Sequence, residues 1–90
     1  MPIQVEIPAP MREHTDGQDI VEATGGTVAA VIANVGEKYP SITDRLFDDG
    51  KLRRFVNLFV NDEDIRYLDD LDTEVKDGDK VSIIPAVAGG

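Results

Sequence analysis

Cysteine is absent from the 90-residue chain, so neither a disulfide framework nor a thiolate metal site holds the fold, which must rest on a single apolar core. That absence suits a reducing compartment. Histidine occurs once, as His14, and no second histidine or cysteine completes a transition-metal site around it. Beside Arg12, Glu13 and Asp16 it reads as a solvated loop residue. Basic residues are scarce: nine against eighteen acidic ones give a net charge of −9, which repels phosphate backbones and anionic lipid. Neither nucleic acid nor membrane is expected as a partner, and the acidic surface serves solubility first. No apolar run approaches the roughly 20 residues of a membrane helix, and no basic-then-apolar leader opens the chain. The expectation is a soluble, cytoplasmic protein. Ninety residues leave no room for a second core beside a large substrate cleft. No Ser-His-Asp set, phosphate-binding glycine loop or catalytic carboxylate pair is legible either, so the chain does not read as an enzyme.

What is present reads as alternating strands around one good helix. Ile3, Val5 and Ile7 alternate with Gln4 and Glu6, the period of a strand with one buried face, which Pro8 and Pro10 close. After a loop at Asp16-Gly17, the stretch Gln18 to Ala23 forms a second strand and a hairpin with the first. Thr27 is placed to cap a helix over residues 27–38 whose apolar stripe is Val28, Val31, Ile32 and Val35, ending where Pro40 disfavours helical geometry at Tyr39. Ser41-Ile42-Thr43-Asp44 reads as a cap that starts a short turn through Phe47. In the strand from Arg54 to Val60, the aliphatic set Val56, Leu58 and Val60 is the core face, which leaves Phe55 and Phe59 on the other. Asn61 to Asp64 is a turn into a short strand near Ile65-Arg66-Tyr67, and Leu68, Leu71 and Val75 dock the loop that follows. Asp77-Gly78-Asp79 turns the chain into the last strand, Lys80 to Pro85, with Val81 and Ile83 on one face and Ser82 and Ile84 on the other.

Two strands, a helix and three further strands is the element order of a beta-grasp domain. The expected fold is α+β: a ubiquitin-like mixed sheet of about five strands with one main helix, over residues 1–85. Residues 86–90 then form a flexible tail ending in Gly89-Gly90. A ferredoxin-like sandwich is the alternative and needs a second full helix, for which only the weak segment from Leu68 to Val75 is available.

A terminal glycine pair leaves an α-carboxylate with no neighbouring side chain on a permissive backbone. Such a tail can thread a narrow channel and offers an unhindered carboxyl carbon, which suits activation by ATP to an acyl-adenylate. A chain end that is merely mobile is the bland reading. The run Asp77-Gly78-Asp79-Lys80-Val81-Ser82-Ile83-Ile84-Pro85-Ala86-Val87-Ala88-Gly89-Gly90, together with Val60 to Arg66 before it, resembles the signature of the ubiquitin-like small sulfur carriers, the MoaD/ThiS family. The ending from Pro85 most resembles those that deliver sulfur for cysteine biosynthesis.

The resemblance implies a protein cosubstrate that binds no cofactor of its own. A ubiquitin-activating-like enzyme would use ATP to adenylate Gly90, with Gly89, Ala88 and Val87 giving access, and a sulfur donor would displace AMP to leave a thiocarboxylate. A sulfur-accepting synthase, in the cysteine route a pyridoxal-phosphate-dependent one, would consume it, and a hydrolase would release the cysteinyl adduct. Alternatives within the same chemistry are a carrier for molybdopterin or thiamin synthesis and a protein modifier joined to lysines through Gly90. A different class is a beta-grasp binding module with an idle tail.

Strand alternation puts Phe59 and Ile84, with Phe55 at the edge and Val87 in the tail, on an outward apolar face suited to docking these partners. The competing arrangement has the loop from Leu68 to Val75 folded over that face. Asp62-Glu63-Asp64 lacks the spacing of a calcium loop and reads as a hairpin turn. Lys51, Arg53 and Arg54, with Arg45 nearby, form a basic cluster that pairs either with a partner's acids or with Asp48 and Asp49. Asp69-Asp70 reads as solvation.

Overall fold

The computed structural model describes residues 2–53 and 56–85. Its main sheet has five strands: β1 (Ile3–Glu6), β2 (Ile20–Ala23), β5 (Val56–Val60), β6 (Glu63–Asp64) and β7 (Lys80–Pro85), in the spatial order β2-β1-β7-β5-β6. β1 pairs antiparallel with β2 and parallel with β7, and β7 pairs antiparallel with β5. The first and last strands are therefore neighbours, as the beta-grasp expectation required, and the last strand sits at the centre of the sheet.

Helix α1 (Val28–Lys38) crosses one face of this sheet. The Thr27 hydroxyl accepts a hydrogen bond from the Ala30 N–H at 3.2 Å, so the expected cap is in place. Val28, Val31, Ile32 and Val35 are all buried, against an inner sheet face that includes Val5, Val21, Leu58, Val81 and Ile83. Each fully buried aliphatic side chain of this kind contributes about 1.5–3 kcal/mol, which makes the stripe decisive for docking the helix. The chain enters α1 so tightly that a Cβ on Gly25 would lie 2.7 Å from the Val31 backbone nitrogen, so this position needs glycine.

The core also takes Ile42 and Leu46 from a second helix, α2 (Pro40–Leu46). The expected Ser41 cap is wrong: α2 starts two residues earlier than that cap implies, with Pro40 at its first position, where a missing N–H costs nothing, and no side chain caps it. A two-stranded hairpin follows, β3 (Phe47–Asp48) and β4 (Lys51–Leu52), around Asp49-Gly50 with φ of 54° and 79°. Asn61-Asp62, between β5 and β6, has φ of 48° and 73°. Positive φ at both central residues is what type I′ hairpin turns require.

Three further expectations need correction. The segment after Pro8 is a 3-10 helix, Ala9–Thr15, rather than a loop, and it buries Met11 and Thr15. The short strand near Ile65-Arg66-Tyr67 lies two residues earlier, as β6; Ile65–Tyr67 is a 3-10 turn capped by the Asp64 side chain. Leu68 does not dock: it is 38% exposed, while Val75 is buried and Leu71 packs against the core. The 68–75 loop is strapped to the start of α1 by hydrogen bonds from the Val28 N–H to the Thr73 carbonyl and from the Val75 N–H to the Gly26 carbonyl, at 3.0 and 3.1 Å. It runs along the helix side of the sheet and so does not itself cover the opposite face.

The start of β7 is pinned from both sides. Asn61 accepts from the Lys80 N–H at 3.0 Å and donates to Asp79 at 3.1 Å, and the second Asp79 oxygen accepts from the Lys76 N–H at 2.8 Å. The Lys76 amide bond, then the Asn61 amide, hold the Asp79 carboxyl below the usual carboxylate range. A folded-state value below the unfolded one, about 3.9, means this stabilisation is present above that pH and is lost as pH falls through the lowered value. Thermal melts across the acid range are expected to show a shallower loss of stability for Asp79→Asn than for the native chain. An identical acid limb in both proteins would refute this assignment.

Candidate functional site

The face of the sheet away from α1 is built by register. Glu6 lies opposite Ile20 and Ser82, Ser82 opposite Phe59, and Phe59 opposite Asp64, so these five side chains form one row across all five strands. Ile84 sits beside the row, opposite Asn57. Ile84 and Ile20 are 47% and 40% exposed, and Phe59 is half-buried over the buried Ser82. Phe59 and Ile84 are therefore on the outward face, as the alternation predicted. Phe55 lies outside the described residues, as do Val87, Ala88, Gly89 and Gly90.

Two residues of this face were not singled out from the sequence. Ile20 was read only as part of a strand, although inward Val21 and Ala23 already imply that it points outward. Glu6 accepts from the Ser82 hydroxyl at 3.4 Å and lies 3.6 Å from the Lys80 ammonium, so a carboxylate sits within the apolar row. At the far end Asp64 makes a two-pronged pair with Arg66, the closer contact being 2.7 Å, and this bond lowers its carboxyl below the ordinary range. The face interleaves the apolar side chains Ile20, Phe59 and Ile84 with polar Glu6, Ser82 and Asp64, a mixture suited to protein docking rather than to a small-molecule cleft.

This face leads to the end of β7, where Pro85, the last described residue, pairs with Val56. Beside Pro85 opens a groove of about 430 Å³, walled by Pro8, Ile20 and Ile84 with Arg12 and Asp19 at its polar side. Arg12 is oriented by donating from Nε to the Ile7 carbonyl at 3.1 Å. Sheet order thus gathers the outward Ile20 and Ile84 beside Pro85, the last described residue.

The remaining candidates separate from this region. His14 is not a solvated loop residue: it lies on the 3-10 helix, half-buried, with Nδ1 3.1 Å from the Ser41 hydroxyl and a buried Nε2 3.7 Å from the Glu13 carboxylate. Packing against α2 gives it this setting. Asp62 and Glu63 belong to a hairpin, as expected. Among the described residues no three metal-ligating side chains converge, and no helix is long and apolar enough to cross a membrane.

Comparison with known proteins agrees with this geometry. The sequence pattern of the ThiS family matches residues 5–90. The chain is 50% identical to the sulfur carrier protein CysO of Mycobacterium tuberculosis over the full length of both. It is 37% identical, again over both full lengths, to a putative sulfur carrier protein of Archaeoglobus fulgidus. Among solved structures, the fold matches a chain in the crystal structure of the Amycolatopsis orientalis BexX/CysO complex with a TM-score of 0.92 and 49% identity, covering 98% of this chain and 99% of that one.

Proposed function

We propose that this chain, which belongs to the ThiS family, is a sulfur carrier that receives sulfur as a thiocarboxylate on Gly90 and delivers it for cysteine biosynthesis. The observation that carries this reading is the 50% identity to CysO along the whole of both chains. The geometry supports it: the central strand β7 is the base of the tail, and an uncovered strip beside it can dock a partner. The carrier supplies position and presentation, and its partners supply the acid-base and nucleotide chemistry.

The sequence of bonds follows from the weakness of a carboxylate as an electrophile. One Gly90 carboxyl oxygen attacks the α-phosphorus of ATP, held by an adenylating enzyme, and pyrophosphate leaves. A sulfur donor then attacks the acyl carbon and AMP departs with the original oxygen, leaving carbon bonded to sulfur. The thiocarboxylate sulfur is a strong nucleophile, and it bonds to an electrophilic carbon presented by a pyridoxal-phosphate-dependent synthase. A hydrolase then frees the product and regenerates the Gly90 carboxylate. Dependence on ATP and on a pyridoxal-phosphate-dependent acceptor fits a cytoplasmic setting for this chemistry. A relative 49% identical to this chain was crystallised in a complex with BexX, which supports a docking role for this fold.

Intact-mass measurement on the protein from its native cells tests the reading. A fraction is expected with one oxygen replaced by sulfur, removed by a thiol-alkylating reagent with gain of one alkyl group. Because the chain has no cysteine, that alkylation reports on the carried sulfur. A population holding only the carboxylate, together with lysine-linked conjugates, would overturn the carrier and favour a protein modifier.

A further inference from the structure

The root of the tail is bordered by more guanidinium groups than the chain's composition suggests. Only nine of the 90 residues are basic and the net charge is −9, yet three arginines line the two hollows that share Pro85. Arg12 borders the groove already described. Arg45 and Arg53 border a second pocket, of about 270 Å³, whose other walls are Pro10, Met11 and Pro85. Arg53 is held in place by its backbone: its N–H donates to the Leu46 carbonyl, and its guanidinium donates twice to the Asp44 carbonyl at 3.1 and 3.0 Å. Arg45 ends the exposed side of α2 and makes no ion pair with any described residue. Asp48 and Asp49 in the β3–β4 turn make none either, so Arg45 does not neutralise them.

We infer that this pocket takes the side-chain carboxylate of an Asp or Glu from the protein that receives the tail, an inference that rests on the carrier reading above only for that protein's identity. Charge selects the occupant first. A carboxylate against the Arg45 guanidinium accepts charge-assisted hydrogen bonds, the fixed positive charge of Arg53 in the same pocket adds to the attraction, and the apolar walls of Pro10, Met11 and Pro85 strengthen both by excluding water. Reach excludes the nucleotide. The five residues after Pro85, extended into a channel, carry the Gly90 carboxyl about 17 Å away. The arginines then touch the rim of that channel rather than a phosphate at its end. Repulsion fixes the direction of approach: an acidic rim is disfavoured over the rest of this anionic surface and is drawn to the point where the tail emerges.

Titration of the isotopically labelled full chain with an oligoglutamate peptide, followed by amide NMR, tests this. Saturable shifts are expected at Met11, Arg45 and Arg53, weakening steeply from low to high salt as screening shortens. Arg45→Glu is expected to lower the affinity roughly tenfold or more with an unchanged melting temperature, since the side chain is exposed. Equal affinity in Arg45→Glu, shifts confined to other residues, or saturation by inorganic phosphate without saturation by the peptide would each overturn the proposal. The titration needs no adenylating enzyme, so it decides the occupant even where ATP-dependent activation fails and the carrier reading falls. With an enzyme that does activate the chain, Arg45→Glu is expected to raise KM for the carrier about tenfold at unchanged kcat. An unchanged KM would count against the pocket.

Discussion

Removal of Gly89 and Gly90 is expected to abolish ATP-dependent AMP formation with the adenylating partner while leaving the melting temperature where it was. The two outcomes separate because the described ladders of β7 run to Pro85, whose register partner is Val56, and the excised residues belong to none of them. A single substitution at Gly89 acts on the same step. Glycine lets the backbone pass a narrow channel without a Cβ, and a side chain that displaces the acyl carbon by about 1 Å costs on the order of 100-fold in rate. Gly89→Leu, which obstructs as well as displaces, is expected to fall below detection. A coupled assay of AMP release, paired with a thermal melt, measures both. Full adenylation of the chain lacking both glycines would eliminate the carrier chemistry.

Adjacent residues of β5 are expected to fail in opposite ways. Leu58 is 1% exposed, faces α1 and pairs with Ile83 in the ladder, so Leu58→Ala should lose about 2–5 kcal/mol of folding stability. Against a total of about 5–15 kcal/mol that is a large share, and it corresponds to a melting temperature lower by about 10 °C or more. Phe59 points to the outward row between Ser82 and Asp64. Phe59→Ser should cost less stability, because one side of the ring already faces solvent. If the ring anchors the docked partner, it should weaken binding by about 2 kcal/mol, near 30-fold. Calorimetric binding to the adenylating enzyme and melts on the two variants form the test. Native affinity with a collapsed melting temperature for Phe59→Ser would assign that ring to the core and remove the interface.

The elements legible in the sequence were those where several local signals agree. For α1 the cap, the apolar stripe and Pro40 all marked the same span, and the structure follows it to within one residue. β5 and β7 carried long alternation, so their inner and outer faces were readable. The 3-10 helix at Ala9–Thr15 was hidden because Pro8 before it and Pro10 within it read equally well as a loop, and what stabilises it is the burial of Met11 and Thr15 under α2. Strands of two residues, β3, β4 and β6, are too short to show any period. Alternation shows which face a side chain takes but not which residue stands beside it. Phe59 and Ile84 were therefore found, whereas the row through Ile20, Glu6 and Ser82 needed the register. Of the arginines around Pro85, Arg45 and Arg53 were legible only as part of a charge cluster and Arg12 not as part of it, since separate stretches of the chain bring the three together.

The central place of β7 also sets how the domain bears mechanical load. A partner that draws the tail into a channel pulls along the axis of β7, which is hydrogen-bonded to β1 on one side and β5 on the other. Those bonds lie across the direction of pull, so both ladders resist together, in shear, instead of opening one bond at a time as an edge strand peeled sideways would. Traction on the tail is thus transmitted to the whole sheet, and the domain is dragged against its partner as a rigid body before any strand gives way.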